Sequence, residues 1–143
     1  MHKILFICHG NICRSAMGEQ ILKDMVKKAG QEAEFFIDSA AVSREEIGNP
    51  MYMPAQRELR RHGVEIGSHR ARQVTMADYK SFDRLYYMDE SNARYLDRML
   101  PEDPEKIRKL LSRDVADPWY TGNFEAAWND LVAGCEKILE ELK

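Results

Sequence analysis

Cys8 and Arg14 are separated by five residues in the string Cys8-His9-Gly10-Asn11-Ile12-Cys13-Arg14-Ser15. A cysteine and an arginine at that spacing, on a loop with turn-forming Gly10 and Asn11, suit a tetrahedral oxyanion. Successive main-chain N–H groups of such a loop can point inward as a nest, and a following helix adds its N-terminal donors. Arg14 brings a planar fork that grips two phosphoryl oxygens. In that field the Cys8 thiol is expected to ionise more readily than a free cysteine and to attack a bound phosphate ester in line, giving a phosphocysteine. Ser15 is placed to stabilise the sulfur as it leaves that intermediate. The bland reading makes Cys8 a buried strand-end residue and Arg14 a surface helix residue; the complete octapeptide argues against it.

The elements that must position these groups are readable on either side. Lys3–Cys8, KILFIC, is a short apolar run of the kind found in a buried parallel strand. From Ser15 the apolar positions Met17, Ile21 and Met25, with Leu22 and Val26 beside them, repeat at three and four residues, predicting a helix that stops near Gly30. Glu34–Ala40 reads as a second strand, 41–54 as a long loop, Ala55–His62 as a helix and Arg84–Met88 as a third strand. Asp89 or Ser91 can cap a helix over Asn92–Leu100. Residues 105–111 fit either a helix or an edge strand. Phe124 to Leu142 carries one apolar stripe and predicts a long final helix, with Cys135 in the core. Strands alternating with helices imply a parallel sheet covered on both faces, with ligands bound beyond the carboxyl ends of the strands.

Composition bounds the rest. The 143 residues suit one domain, 1–143, with 44% hydrophobic and 31% charged residues. Lys and Arg number 21 against 24 Asp and Glu, a net charge of −3 that offers no whole-molecule attraction to nucleic acid or to a membrane surface. No apolar run reaches the roughly 18–20 residues of a membrane span, and MHKILFIC is too short for a signal peptide, so a cytoplasmic location is expected. Three cysteines argue against a disulfide scaffold, and no Cys/His cluster has zinc spacing.

CHGNICRS resembles the phosphate-binding loop of the low-molecular-weight protein tyrosine phosphatases, C-x-G-N-x-C-R-S. The resemblance continues in order through Asp38-Ser39-Ala40, His62-Gly63, Ser68-His69-Arg70-Ala71-Arg72-Gln73, Met88-Asp89 with Asn92, and Asp117-Pro118-Trp119-Tyr120. It implies a three-layer α/β sandwich: a four-stranded parallel sheet with helices on both faces and the phosphate loop after the first strand. It implies hydrolysis of phosphotyrosine in proteins or of small aryl phosphates, with inorganic phosphate and vanadate as ligands, by a monomer that needs no metal or other cofactor. Asp117 would protonate the leaving oxygen and then serve as base for water. Trp119 and Tyr120 would wall the cleft, and His9, Gly10, Asn11, Ile12, Cys13 and Ser15 would bind around the phosphate. Asn11, Ser39 and His69 would brace the loop. Ile at position 12 goes, in this family, with phosphotyrosine and Thr with phosphoarginine. The family also suggests a reversible Cys8–Cys13 disulfide, with Cys13 as a small buried side chain the alternative. Arg57–His62, with Arg70 and Arg72, is locally basic and is either a solvated face or a contact for acidic phosphopeptides.

Residues 41–50, AVSREEIGNP, depart from the family. Glu45 and Glu46 fall where an apolar side chain and a histidine are usual, and two glutamates at a cleft mouth are expected to repel acidic peptides. Two other activities fit this loop less well. Thiol-dependent arsenate reduction needs further cysteines near the site, and 74–100 has none. A phosphocarrier needs neither Arg14 nor Asp117.

Overall fold

The first strand, β1 (His2–Cys8), lies in the interior of the sheet, and Ile4, Leu5, Phe6 and Ile7 have no exposed surface. A strand buried on both faces cannot alternate apolar with polar residues, which is why KILFIC is continuous. Its side chains still alternate in direction. Ile4, Phe6 and Cys8 enter one core with Met17, Leu22, Leu131 and Ile138. Leu5 and Ile7 enter a second core with Phe82, Leu85, Leu96 and Leu100. Each such side chain contributes about 1.5–3 kcal/mol on burial.

The computed structural model describes residues 1–143. Chain order is β1, α1 (Arg14–Lys28), β2 (Phe35–Ala41), α2 (Met53–Arg61), α3 (Met76–Ser81), β3 (Arg84–Tyr87), α4 (Glu90–Met99), β4 (Ile107–Lys109), α5 (Pro118–Thr121) and α6 (Phe124–Glu141). The four strands pair in parallel in the order β2-β1-β3-β4, with Ile4 opposite Ile37 on one side and Arg84 on the other. Helices α1, α2 and α6 cover the first core, while α3 and α4 cover the second. The expected four-stranded parallel sheet with helices on both faces is therefore what forms.

Local chemistry accounts for the boundaries. Gly30, at φ +72°, follows the end of α1. Asp89, and not Ser91, caps α4 through a reciprocal box with Asn92. Helix α2 begins two residues before the predicted Ala55, because Pro54 in its first turn needs no N–H partner. The open reading of 105–111 resolves as the edge strand β4. Helix α3, not foreseen, is started by a capping box between Thr75 and Asp78. Helix α6 lies close against Leu110, and a Cβ on Gly134 would come within 2.5 Å of Leu110 Cγ. No helix is long and apolar enough to cross a membrane.

Candidate active site

The parallel sheet brings its carboxyl ends together, and the loop from Cys8 to Arg14 crosses that edge. Cys8, at the end of β1, keeps 3% of its surface exposed. Its sulfur lies 2.9 Å from Ser15 Oγ, and Asn11 donates its main-chain N–H to the same sulfur at 3.3 Å. The donor direction at Ser15 follows from its other contact. Asn11 Nδ2 donates to Ser15 Oγ at 2.8 Å, which leaves the Ser15 hydroxyl hydrogen free for Cys8. Both donors favour sulfur in its anionic form.

Asn11 is the keystone of the loop. It has φ +64°, left-handed, which asparagine tolerates better than most residues, and it is fully buried. Its Oδ1 accepts the Arg72 N–H at 3.2 Å, and its carbonyl accepts from His69 Nε2 at 2.7 Å. That bond puts the hydrogen of His69 on Nε2, while Nδ1 stands 3.9 Å from Glu19 Oε1. Glu19, 3% exposed, also accepts from Ser39 Oγ at 2.5 Å and from Lys23 Nζ. Ser39 therefore bonds Glu19, which lies beside His69, and not the loop itself. The Arg72 side chain is held by Asp78 and Asp38, so the N–H it offers Asn11 is fixed in place.

Arg14 opens α1 and is 3% exposed. Nη1 donates to the Val115 carbonyl at 3.1 Å. Nη2 donates to Asp89 Oδ2 at 2.8 Å and to Asp117 Oδ2 at 3.3 Å. Burial opposes its charge, but Cys8, Asp117 and Asp89 outweigh burial and raise its pKa. Asp89 is itself fixed, because its Oδ1 caps α4 at Asn92 N. Cys13 behaves oppositely to a nucleophile: burial first, then the charges of Cys8 and Asp117, push its thiol up to about 12. Cys8, Cys13 and Cys135 are free thiols, and Cys135 is buried against the Gly18 carbonyl in the core.

Over this floor lies a cleft of about 200 Å³. Cys8, His9, Gly10, Ile12, Cys13, Arg14, Asp117, Trp119 and Tyr120 line it, together with Glu45 and Glu46. Asn11, Ser15, Ser39 and His69 stand behind the floor. Trp119 and Tyr120 are 52% and 85% exposed, so neither is a core residue. Trp119 packs on Tyr52 with ring centroids 4.9 Å apart, and Tyr52 N–H donates to the Ile12 carbonyl. Asp117 caps α5 by accepting the Trp119 N–H. The roles of Asp89, Glu19, Arg72 and Tyr52 escape sequence reasoning. Asp89 is readable in the sequence as a candidate cap of α4, but not as the partner of Arg14.

Comparison with known proteins identifies the relatives of the chain. The chain is 38% identical over 151 residues to the low molecular weight protein-tyrosine-phosphatase YfkJ of Bacillus subtilis, covering 100% of this chain and 97% of that one. The crystal structure of YfkJ superposes with a TM-score of 0.95 at 39% identity, covering 99% and 94% of the two chains. The human low molecular weight phosphotyrosine protein phosphatase is 38% identical over 149 residues, covering 96% and 94%. The Drosophila arginine phosphatase structure aligns with a TM-score of 0.88 at 31% identity, covering 99% and 98%. The family pattern described as low molecular weight phosphotyrosine protein phosphatase matches residues 3–143, and the chain belongs to that family.

Proposed function

We propose that the protein hydrolyses phosphotyrosine monoesters through a phosphocysteine on Cys8, with Arg14 holding the phosphoryl group and Asp117 moving the proton. The observation that carries this is the meeting of Cys8 Sγ, the buried Arg14 and Asp117 in one aromatic-walled cleft. The Cys8 thiolate attacks phosphorus while the bond to the phenolic oxygen breaks, and Asp117 gives that oxygen its proton. Asp117 then takes a proton from water as it attacks the phosphocysteine. The sulfur leaves as thiolate, stabilised by the Ser15 hydroxyl and the Asn11 N–H.

The contacts of Arg14 suggest how binding prepares the acid. Asp89 and the Val115 carbonyl hold the guanidinium on two edges, while the Asp117 contact is the longest of the three. A phosphoryl dianion entering the cleft takes that third position. It displaces the Asp117 carboxyl toward the leaving oxygen. Phosphoarginine is the competing substrate class, since a Drosophila relative is named an arginine phosphatase. Ile12, apolar and 8% exposed at the cleft, favours an aryl ester instead.

The test is hydrolysis of p-nitrophenyl phosphate, phosphotyrosine and a phosphoarginine peptide in the presence of a chelator. Wild type should turn over the first two and prefer phosphotyrosine to phosphoarginine. Cys8→Ser should be inactive, and Asp117→Ala should lose kcat by about 10²–10⁴-fold. Full turnover by Cys8→Ser would overturn the reading.

A further inference from the structure

The mouth of the cleft has a charge pattern that the hydrolysis of a phosphate ester does not itself require. Beyond Arg14 and His9, none of the lining side chains is basic, while Glu45 and Glu46 present carboxylates there. These glutamates are fixed in place. His9 Nε2 meets Glu45 Oε2 at 2.8 Å, and Asn49 Nδ2 donates to Glu46 Oε2 at 2.6 Å. Their segment is laced to the phosphate loop, with Val42 N–H donating to the Cys8 carbonyl and both Ser43 N–H and Ser43 Oγ donating to the His9 carbonyl. Glu46 Cγ lies 3.3 Å from the Cβ position of Gly10, over the phosphate loop. The partner of Glu46 is a neutral amide, and no cation of the protein pairs with it. The remaining lining is aromatic: Trp119, steadied by Tyr52, and the largely exposed Tyr120.

We propose that the cleft mouth is a cation clamp, which makes the enzyme prefer phosphotyrosine flanked by arginine or lysine. Glu45 and Glu46 supply the charge, and Trp119 and Tyr120 supply ring faces. A guanidinium or ammonium beside the phosphotyrosine gains carboxylate attraction and aromatic-face attraction together. An acidic flank meets like charge in the same place. Arg14 cannot relieve that repulsion, because Asp89 already pairs with it and the phosphoryl group occupies the rest of its fork. The proposal rests on the phosphotyrosine reading above and names the sequence context that reading leaves open.

The experiment compares peptides that are identical except for the residues on both sides of phosphotyrosine, which are arginine, alanine or glutamate. Free phosphotyrosine is run in parallel. At low ionic strength the arginine-flanked peptide should exceed the glutamate-flanked one in kcat/KM by on the order of 10-fold, chiefly through KM, and the ratio should shrink as salt screens the rim. In Glu46→Gln the ratio should fall, and in Glu45→Gln/Glu46→Gln it should approach unity. Trp119→Ala should weaken the preference for arginine over alanine. Equal kcat/KM for the two charged peptides, with free phosphotyrosine turned over well, would overturn the clamp and leave the phosphatase reading standing, as would a ratio undiminished in the double variant. No turnover of free phosphotyrosine would overturn the phosphatase reading and the clamp with it.

Discussion

Replacing Asn11 with alanine should damage the loop in two separable ways. The side chain links Arg72 N–H to Ser15 Oγ inside the protein, at 3.2 and 2.8 Å. Alanine leaves the part-buried Arg72 N–H without its acceptor, which costs about 1–3 kcal/mol, whereas the Ser15 hydroxyl can turn to another partner. Alanine must also take up φ +64°, at about 1 kcal/mol. The expected loss of stability is about 2–4 kcal/mol, which a domain with the usual 5–15 kcal/mol survives. The catalytic loss is distinct. Without Asn11 Nδ2 the Ser15 hydroxyl is no longer aimed at Cys8, and kcat should drop by about 10²-fold, the usual effect of losing one preorganised donor. Asn11→Gly separates the two effects, because glycine accepts the left-handed backbone but restores neither side-chain bond. It should recover about 1 kcal/mol relative to alanine while kcat stays low. Urea unfolding and p-nitrophenyl phosphate kinetics on the three proteins decide. An alanine variant with kcat within a few-fold of wild type, or a glycine variant with full kcat, would refute the bracing argument.

Gly134→Ala places a methyl group 2.5 Å from Leu110 Cγ at the contact of α6 with the chain after β4, and it should lower stability by about 1–3 kcal/mol, measured as a fall in Tm, with activity per folded molecule retained. Asp78→Asn tests a pH dependence. Burial raises the Asp78 pKa, but the Arg72 fork and the Thr75 N–H outweigh burial and hold it below the ordinary carboxylate range. The folded value lies below the unfolded one, so this stabilisation is complete above about pH 4 and is lost as pH falls through the folded value. The substitution should therefore cost about 2 kcal/mol at pH 7 and clearly less at pH 3 by urea unfolding, and an equal cost at both would refute the sign.

Half of the site was legible because its geometry is local. Cys8, Arg14 and Ser15 lie within one loop and the first turn of α1, so their spacing alone forces them around a common point. Asp117, Ser39 and His69 became candidates only through resemblance, since Asp-Pro turns and buried serines or histidines are ordinary features. Asp89, Glu19 and Arg72 stayed hidden because each reaches the loop from a different element, and nothing in a linear pattern says that β3 will end beside β1. The same distinction holds for the elements. The long stripe of α6 and the apolar run of β1 span enough residues to show a period, whereas three-residue β4 and six-residue α3 do not. Helix α3 had a usable signal in its capping pair, Thr75 and Asp78, but too few apolar positions to corroborate it.

Charge balance connects the proposed chemistry to the proposed selectivity. Arg14 is the one arginine or lysine lining the cleft, and it bonds two carboxylates, Asp89 and Asp117, beside the sulfur of Cys8. Of the two carboxylates, Asp89 is committed to capping α4. Asp117 is the carboxylate left for the acid role in the reaction proposed above. In that proposal, phosphoryl binding and acid catalysis meet at the same Arg14–Asp117 contact. At the mouth no such role exists, because Glu45 and Glu46 have no proton to pass on in the reaction. Their charge can be balanced only by His9 or by the substrate itself. In the proposed scheme the floor selects for the phosphate, and the rim selects for what stands next to it.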